Sequence, residues 1–233
     1  LAGVPVVDST RAYLLYHEGP TPDYYFPRAD VDHEFLVPSD HRTECPTRGE
    51  ARYWSVEMGD RTAENAVWNY SDSPEGIPDL SNLLALDWNS MDAWFEEEEE
   101  VFVHPRDPYH RVDILESNRK VLVRLGDTVL VDSVRPVLLF ETGLPVRYYV
   151  PKMDVRTDLM TPMDVETRCP YKGFTSRYWG GPEGGPEERE IAWCYDFPLQ
   201  EAAKIAGRIA FFDERVDLYV DGKLQDRPET SWS

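Results

Sequence analysis

The sequence predicts a mainly β protein made of two tandem copies of one small antiparallel domain, with minor helix. Three observations carry this expectation. The chain repeats itself at an almost constant offset, its apolar residues fall in short β-branched or aromatic runs bounded by Gly, Pro and Asp, and its 233 residues suffice for two domains of roughly 100 residues each.

The repeat comes first, because self-similarity exposes duplicated architecture before any strand is assigned. Asp8-Ser9 recurs 124 positions on as Asp132-Ser133, and the same offset pairs Arg11 with Arg135, Leu14-Leu15 with Leu138-Leu139, Gly19 with Gly143 and Tyr24-Tyr25 with Tyr148-Tyr149. It continues through Pro27 and Pro151, Asp30-Val31 and Asp154-Val155, Thr43 and Thr167, Cys45-Pro46 and Cys169-Pro170, and Gly49 and Gly173. One inserted residue then moves the offset to 125, aligning Tyr53-Trp54 with Tyr178-Trp179, Trp68 with Trp193 and Tyr70 with Tyr195.

The second copy opens on two alternating strands, 120–125 and 128–131, around the tight turn Gly126-Asp127. Residues 135–141, 146–150, 175–179, 191–196, 208–212 and 217–220 are short strand-like runs, and their spacing is that of an antiparallel fold. Helix is expected only at 154–160, capped by Asp154, and at 199–206, ended by Gly207. Asp221-Gly222 marks a final hairpin. The first copy has a counterpart for only the second of the two opening strands. Its partner is expected either upstream, since the chain starts at Leu1 rather than at a Met, or in residues 101–104. A charged, proline-punctuated junction, Glu96 to Glu100 and then His104-Pro105-Arg106-Asp107-Pro108, places the domains at 1–103 and 104–233. A repeat this free of gaps also leads to an expected intramolecular pseudo-dimer, with the copies packed face to face.

Charge and composition narrow the function. A formal net charge of −20 repels phosphate backbones and anionic lipid, so neither nucleic acid nor membrane is an expected partner. No apolar run approaches the roughly 20 residues of a membrane span, and no stretch resembles a secretion signal. Three cysteines, Cys45, Cys169 and Cys194, cannot all pair internally, which points to a reducing, cytoplasmic setting. Aromatic residues make up 12% of the chain, enough to build either a dense core or a lined pocket.

Two constellations carry possible chemistry. In Thr167-Arg168-Cys169-Pro170-Tyr171-Lys172-Gly173, proline favours the second position of a β-turn, which brings Cys169 and Lys172 to its ends with Cα atoms within about 7 Å. An ammonium beside a thiol favours the thiolate, and the first copy keeps the pattern with Arg48 as the cation. The alternative is a plain turn with a buried, inert Cys and a solvated Lys. The second constellation is Glu141, Tyr148, Tyr149, Trp193 and Tyr195. Trp193 and Tyr195 share one strand face and floor a pocket with Glu141 as its acid, or else they are core aromatics. The first copy has His17-Glu18 where the second has Glu141-Thr142. His41 and Cys45 suit a metal, but no four-ligand set completes a zinc site, so no metal and no cofactor is expected. The glycines after Trp179 lack the strand, helix and lysine of a phosphate loop.

The run Glu141-Thr142, Tyr148-Tyr149-x-Pro151-x-x-Asp154-Val155, Thr167-x-Cys169-Pro170-Tyr171-Lys172-Gly173, Trp193-x-Tyr195 and Val220-Asp221-Gly222 resembles the bacterial domain of unknown function 427. That family also carries the provisional label nucleotidyltransferase 9. The whole second copy matches, and the first matches through residues 24–31, 45–49 and 66–70. The segment from Met91 to Pro108 further resembles the two-copy members found in actinobacteria. The resemblance implies a β-tent-like fold related to zinc-holding domains whose cysteine pairs are absent here. It implies no settled reaction, because neither a phosphate-cradling backbone nor Mg²⁺-binding carboxylates beside one is present in the sequence. Two functional readings follow. In one, the second copy binds or acts on a small metabolite, with Cys169 as thiolate, Lys172 as cation or nucleophile, Glu141 as acid or base, and Tyr148, Tyr149, Thr167, Trp193, Tyr195 and the first copy's Arg48 as binding groups. In the other, the chain is a structural or protein-interaction module.

Overall fold

The computed structural model describes all residues except 18, 20, 73, 75, 77 and 183–188, so Glu18 and, of the glycines after Trp179, Gly184 and Gly185 lie outside the described residues. The chain divides into two compact units, Leu1–Asp107 and Pro108–Ser233. Both are mainly β and antiparallel. Among the described residues, no helix is long and apolar enough to cross a membrane.

The first unit holds a six-stranded sheet in the order Tyr13–Leu15, Asp23–Pro27, Leu83–Leu86, Arg61–Tyr70, Gly49–Met58, Leu36–Cys45. The second unit repeats that order as Val137–Glu141, Arg147–Pro151, Arg208–Phe211, Glu190–Tyr195, Arg177–Gly180, Thr161–Met163. Register agrees as well as order: Tyr13 pairs with Tyr25 as Val137 does with Tyr149, and Trp68 pairs with Ala85 as Trp193 does with Ala210. The second unit adds Val112–Glu116 at the sheet edge, a strand that the sequence reading did not assign. It also holds a four-stranded sheet, Thr128–Ser133, Val121–Leu125, Asp217–Val220 and Lys223–Leu224, which contains the expected opening and closing hairpins.

Because side chains alternate along a strand, the large sheet of the second unit is covered on both faces. Val150, Ala192, Cys194 and Ile209 face a core shared with Val121, Val123 and Leu130. Tyr149, Trp193, Tyr195 and Ala210 face the other way, against Ile114, Leu139, Ala202 and Ile205. Ile191, Ile205 and Ile209 are fully buried, each removal from water stabilising the fold by about 1.5–3 kcal/mol.

The expectations for residues 154–160, for the Asp154 cap and for residues 101–104 need correction, whereas the helix expected at 199–206 is present. Residues 154–160 form no continuous helix but two single 3₁₀ turns, Lys152–Asp154 and Thr157–Leu159. Asp154 ends the first turn instead of capping it, because its carboxylate is drawn to Ser133 at 2.6 Å and to the Arg135 guanidinium at 2.7 Å. Asp30, Ser9 and Arg11 make the same clamp in the first unit, which explains why those three positions recur. Residues 199–206 contain the 3₁₀ stretch Gln200–Ile205, closed before Gly207, whose φ of +65° only glycine adopts without strain. In the first unit, Val101 belongs to Glu99–Val101, which pairs with Trp94–Glu96 rather than filling the opening edge.

Candidate functional site

The turn that the sequence singles out is a tight hairpin in which Cys169 pairs with Gly173, and the φ of +92° at Gly173 makes that position glycine-dependent. The Leu199 N–H donates to the Lys172 carbonyl at 3.0 Å and anchors the turn from behind. Lys172 reaches both carboxylate oxygens of Glu141, at 2.5 and 2.6 Å. His110 Nε2 lies 3.1 Å from the same Glu141 Oε1, and its ring stacks on Tyr171 at 4.2 Å. The side chains are largely shielded, 7% exposed for Glu141, 11% for Lys172 and 20% for His110. An ion pair so enclosed is costly to break from one side, about 3–5 kcal/mol, because the surviving charge is left buried. Glu141 also lines a groove of about 330 Å³ with Arg111, Asp113, Leu115, Phe140 and Thr142.

Behind this pair lies a polar-edged aromatic layer. The Trp193 indole N–H donates to the Tyr149 hydroxyl at 3.0 Å, with the rings edge to face. Thr167 Oγ1 and the Tyr178 hydroxyl share a hydrogen bond of 2.8 Å. Burial pushes the phenols of Tyr149 and Tyr195 far up, and the nearby Cys169 and Glu141 add to both shifts. The structure thus brings Glu141, Lys172, Cys169, Tyr149 and Tyr195 into one neighbourhood, with Tyr149, Trp193 and Tyr195 buried in the core. Tyr148 points to the opposite face and packs against the other core.

The sequence reading missed His110 and a second ionic centre. Arg147 shares a strand face with Tyr149, is buried, and binds Glu214 bidentately at 2.6 and 2.9 Å and Asp213 at 3.3 Å. Its guanidinium lies 5.7 Å from the Trp193 ring centre and 5.6 Å from that of Trp232. Burial, opposed by Arg147 and reinforced by Glu214, pushes the Asp213 carboxyl up to about 7. The only local signals were a charged residue beside two tyrosines and an acidic pair closing a strand.

In the first unit the hairpin recurs, with the Arg48 N–H donating to the Cys45 carbonyl at 3.2 Å. The Arg48 guanidinium lies 5.9 Å from the Tyr70 ring centre. A Thr47 hydrogen bond, together with backbone hydrogen bonds and the Arg48 charge, holds the Cys45 thiol below its ordinary range. His17, the counterpart of Glu141, pairs with Asp23 at 3.2 Å. His41 packs edge to face on Tyr53. Among the described residues, no group of three or more His, Cys, Asp or Glu is arranged to hold a metal.

No curated protein matches the chain at a significant level. A family model described as Domain of unknown function (DUF427) matches residues 1–97 and again 113–222, the two regions in which the same strand order and the same hydrogen-bonded tyrosine–tryptophan pair occur. The chain therefore belongs to the domain of unknown function 427 family, of which it carries two copies.

Proposed function

We propose that the second copy binds a small anionic metabolite at the Glu141–Lys172–His110 cluster and that Cys169 stands beside the bound molecule as a thiol able to react with it. One observation carries the reading: two nitrogen donors, Lys172 Nζ and His110 Nε2, converge on a single shielded carboxylate that opens onto a groove. A ligand carboxylate that takes the place of Glu141 on Lys172 keeps the cation paired and releases Glu141 as an acid or base. The three free thiols support a reducing compartment, and on that ground we place the protein in the cytoplasm.

A metabolite screen by thermal shift tests this, with iodoacetamide labelling of Cys169 as the second readout. Cys194, fully buried and with its thiol pushed up to about 11 by burial, is the slow internal control. A hit is expected to slow alkylation of Cys169 and to lose at least tenfold in affinity in Lys172→Ala. A hit whose affinity is the same in Lys172→Ala, and which leaves Cys169 labelling unchanged, overturns the proposal. The closed geometry of the ion pair favours a second reading, a structural cross-link from the hairpin to Val137–Glu141. On that reading Lys172→Ala lowers Tm and the screen yields no ligand at the cluster.

A further inference from the structure

The two copies differ at the position where the second holds Arg147. The equivalent residue of the first copy is Asp23, and the strand registers fix the equivalence: Leu15 pairs with Asp23 as Leu139 does with Arg147. The surrounding positions follow at the later offset, Trp68 for Trp193, Asp87 for Phe212, Trp88 for Asp213 and Asn89 for Glu214. In the second copy this position is filled by the chain's own cation, a guanidinium between two indoles and against two carboxylates. In the first copy the same region is a cavity of about 250 Å³.

The walls of that cavity suit what the second copy places there. Tyr24, Trp68, Trp88 and Trp94 supply aromatic surface, and Asp23 and Asp87 supply carboxylates. Trp88 and Trp94 stack at 4.9 Å, and the Trp94 indole N–H donates to the Trp88 carbonyl at 3.0 Å, so this part of the wall is preformed. Asp87 accepts a hydrogen bond from Ser90 at 2.6 Å and has no cationic partner among the described residues. Among the described residues, the His17 ring, at 3.2 Å, and the Arg48 guanidinium face Asp23. His104 also lines the cavity.

We propose that this first-copy cavity is a binding site for a small organic cation, of the guanidinium or alkylammonium class, held by the Trp68 and Trp88 rings and by the carboxylates of Asp87 and Asp23. The ligand does from outside what Arg147 does from within the second copy. Aromatic faces attract such cations electrostatically, and a planar guanidinium also matches a carboxylate with two parallel hydrogen bonds. This proposal is independent of the metabolite site at Glu141, which lies in the other copy.

The test uses the full chain and two probes of nearly equal shape, ethylguanidinium and the neutral ethylurea. Titration is followed by calorimetry and by the indole N–H resonances of ¹⁵N-labelled protein. Saturable binding of ethylguanidinium is expected, with Trp68 and Trp88 resonances moving and ethylurea at least tenfold weaker. Asp87→Asn is expected to weaken the cation at least tenfold. Asp23→Arg, which supplies an internal guanidinium as in the second copy, is expected to abolish binding while the Trp193 resonance stays in place. Equal binding of the two probes, no saturable binding of ethylguanidinium, displacement by acetate at the same resonances, or unchanged affinity in a folded Asp87→Asn protein would overturn the proposal.

Discussion

Asp213 sits where desolvation and pairing oppose each other within one residue. An aspartate in an unfolded chain titrates at about 3.9. In the fold, burial, opposed by Arg147, lifts it to about 7, so the native state holds that proton more tightly than the unfolded state does. The sign follows: the contribution is fully present below about pH 4, and it is lost as pH rises through about 7. Asp213→Asn keeps the shape without the titration. Between pH 5 and pH 8 the wild-type unfolding free energy is expected to fall relative to the variant by on the order of 2 kcal/mol. Parallel stability curves would mean that Asp213 is ionised throughout and that Arg147 wins over burial.

At the scale of strands and turns, the most informative unit is the tyrosine–tryptophan pair that both sheets repeat. In the second unit Tyr149 and Trp193 are buried and bonded at 3.0 Å, whereas in the first the Tyr25–Trp68 bond is 3.3 Å and Trp68 is partly exposed. Tyr149→Phe leaves a buried indole N–H without a partner and is expected to cost about 1–3 kcal/mol, measured by denaturant titration. Tyr25→Phe is expected to cost less, since water can reach Trp68. Equal costs would refute the burial argument. Much of this was legible beforehand. Positions that recur at the fixed offset proved to be the Ser–Arg–Asp clamps and the paired aromatics, because duplication preserves contacts and not merely composition. Contacts that join distant segments were not legible. Glu141 and Lys172 are 31 residues apart, Arg147 and Glu214 are 67 apart, and nothing local signals either pairing. The strand Val112–Glu116 was hidden because it follows a charged junction. Asp154 looked like a helix cap because its sequence neighbours do not reveal that Arg135 competes for its carboxylate.

Across the whole chain, each unit carries its own buried clusters, and the family match breaks between them. The match to the second copy ends at Gly222, yet the fold of that unit does not. Thr230 donates to Glu214 at 2.7 Å, Arg215 donates to the Trp232 carbonyl at 3.0 Å, and the Trp232 ring lies against Arg147 and Phe212. The terminal residues thus close the Arg147 centre, supplying one of its two indoles and one of the hydrogen bonds that, with Arg147, keep the Glu214 carboxyl low despite its burial. A fragment of residues 108–233 is expected to fold alone, with one cooperative thermal transition and shielded tryptophan fluorescence. The same fragment ended at residue 226 retains every strand among the described residues but loses this closure. Hydrogen bonds to charged groups contribute about 1.5–3 kcal/mol each, so the shorter fragment is expected to be less stable by about 2–4 kcal/mol. It is also expected to show Trp193 fluorescence that iodide quenches more readily. Equal melting of the two fragments would show that the tail lies on the ionic centre without holding it. Failure of the longer fragment to fold would show that its core is insufficient without residues 1–107.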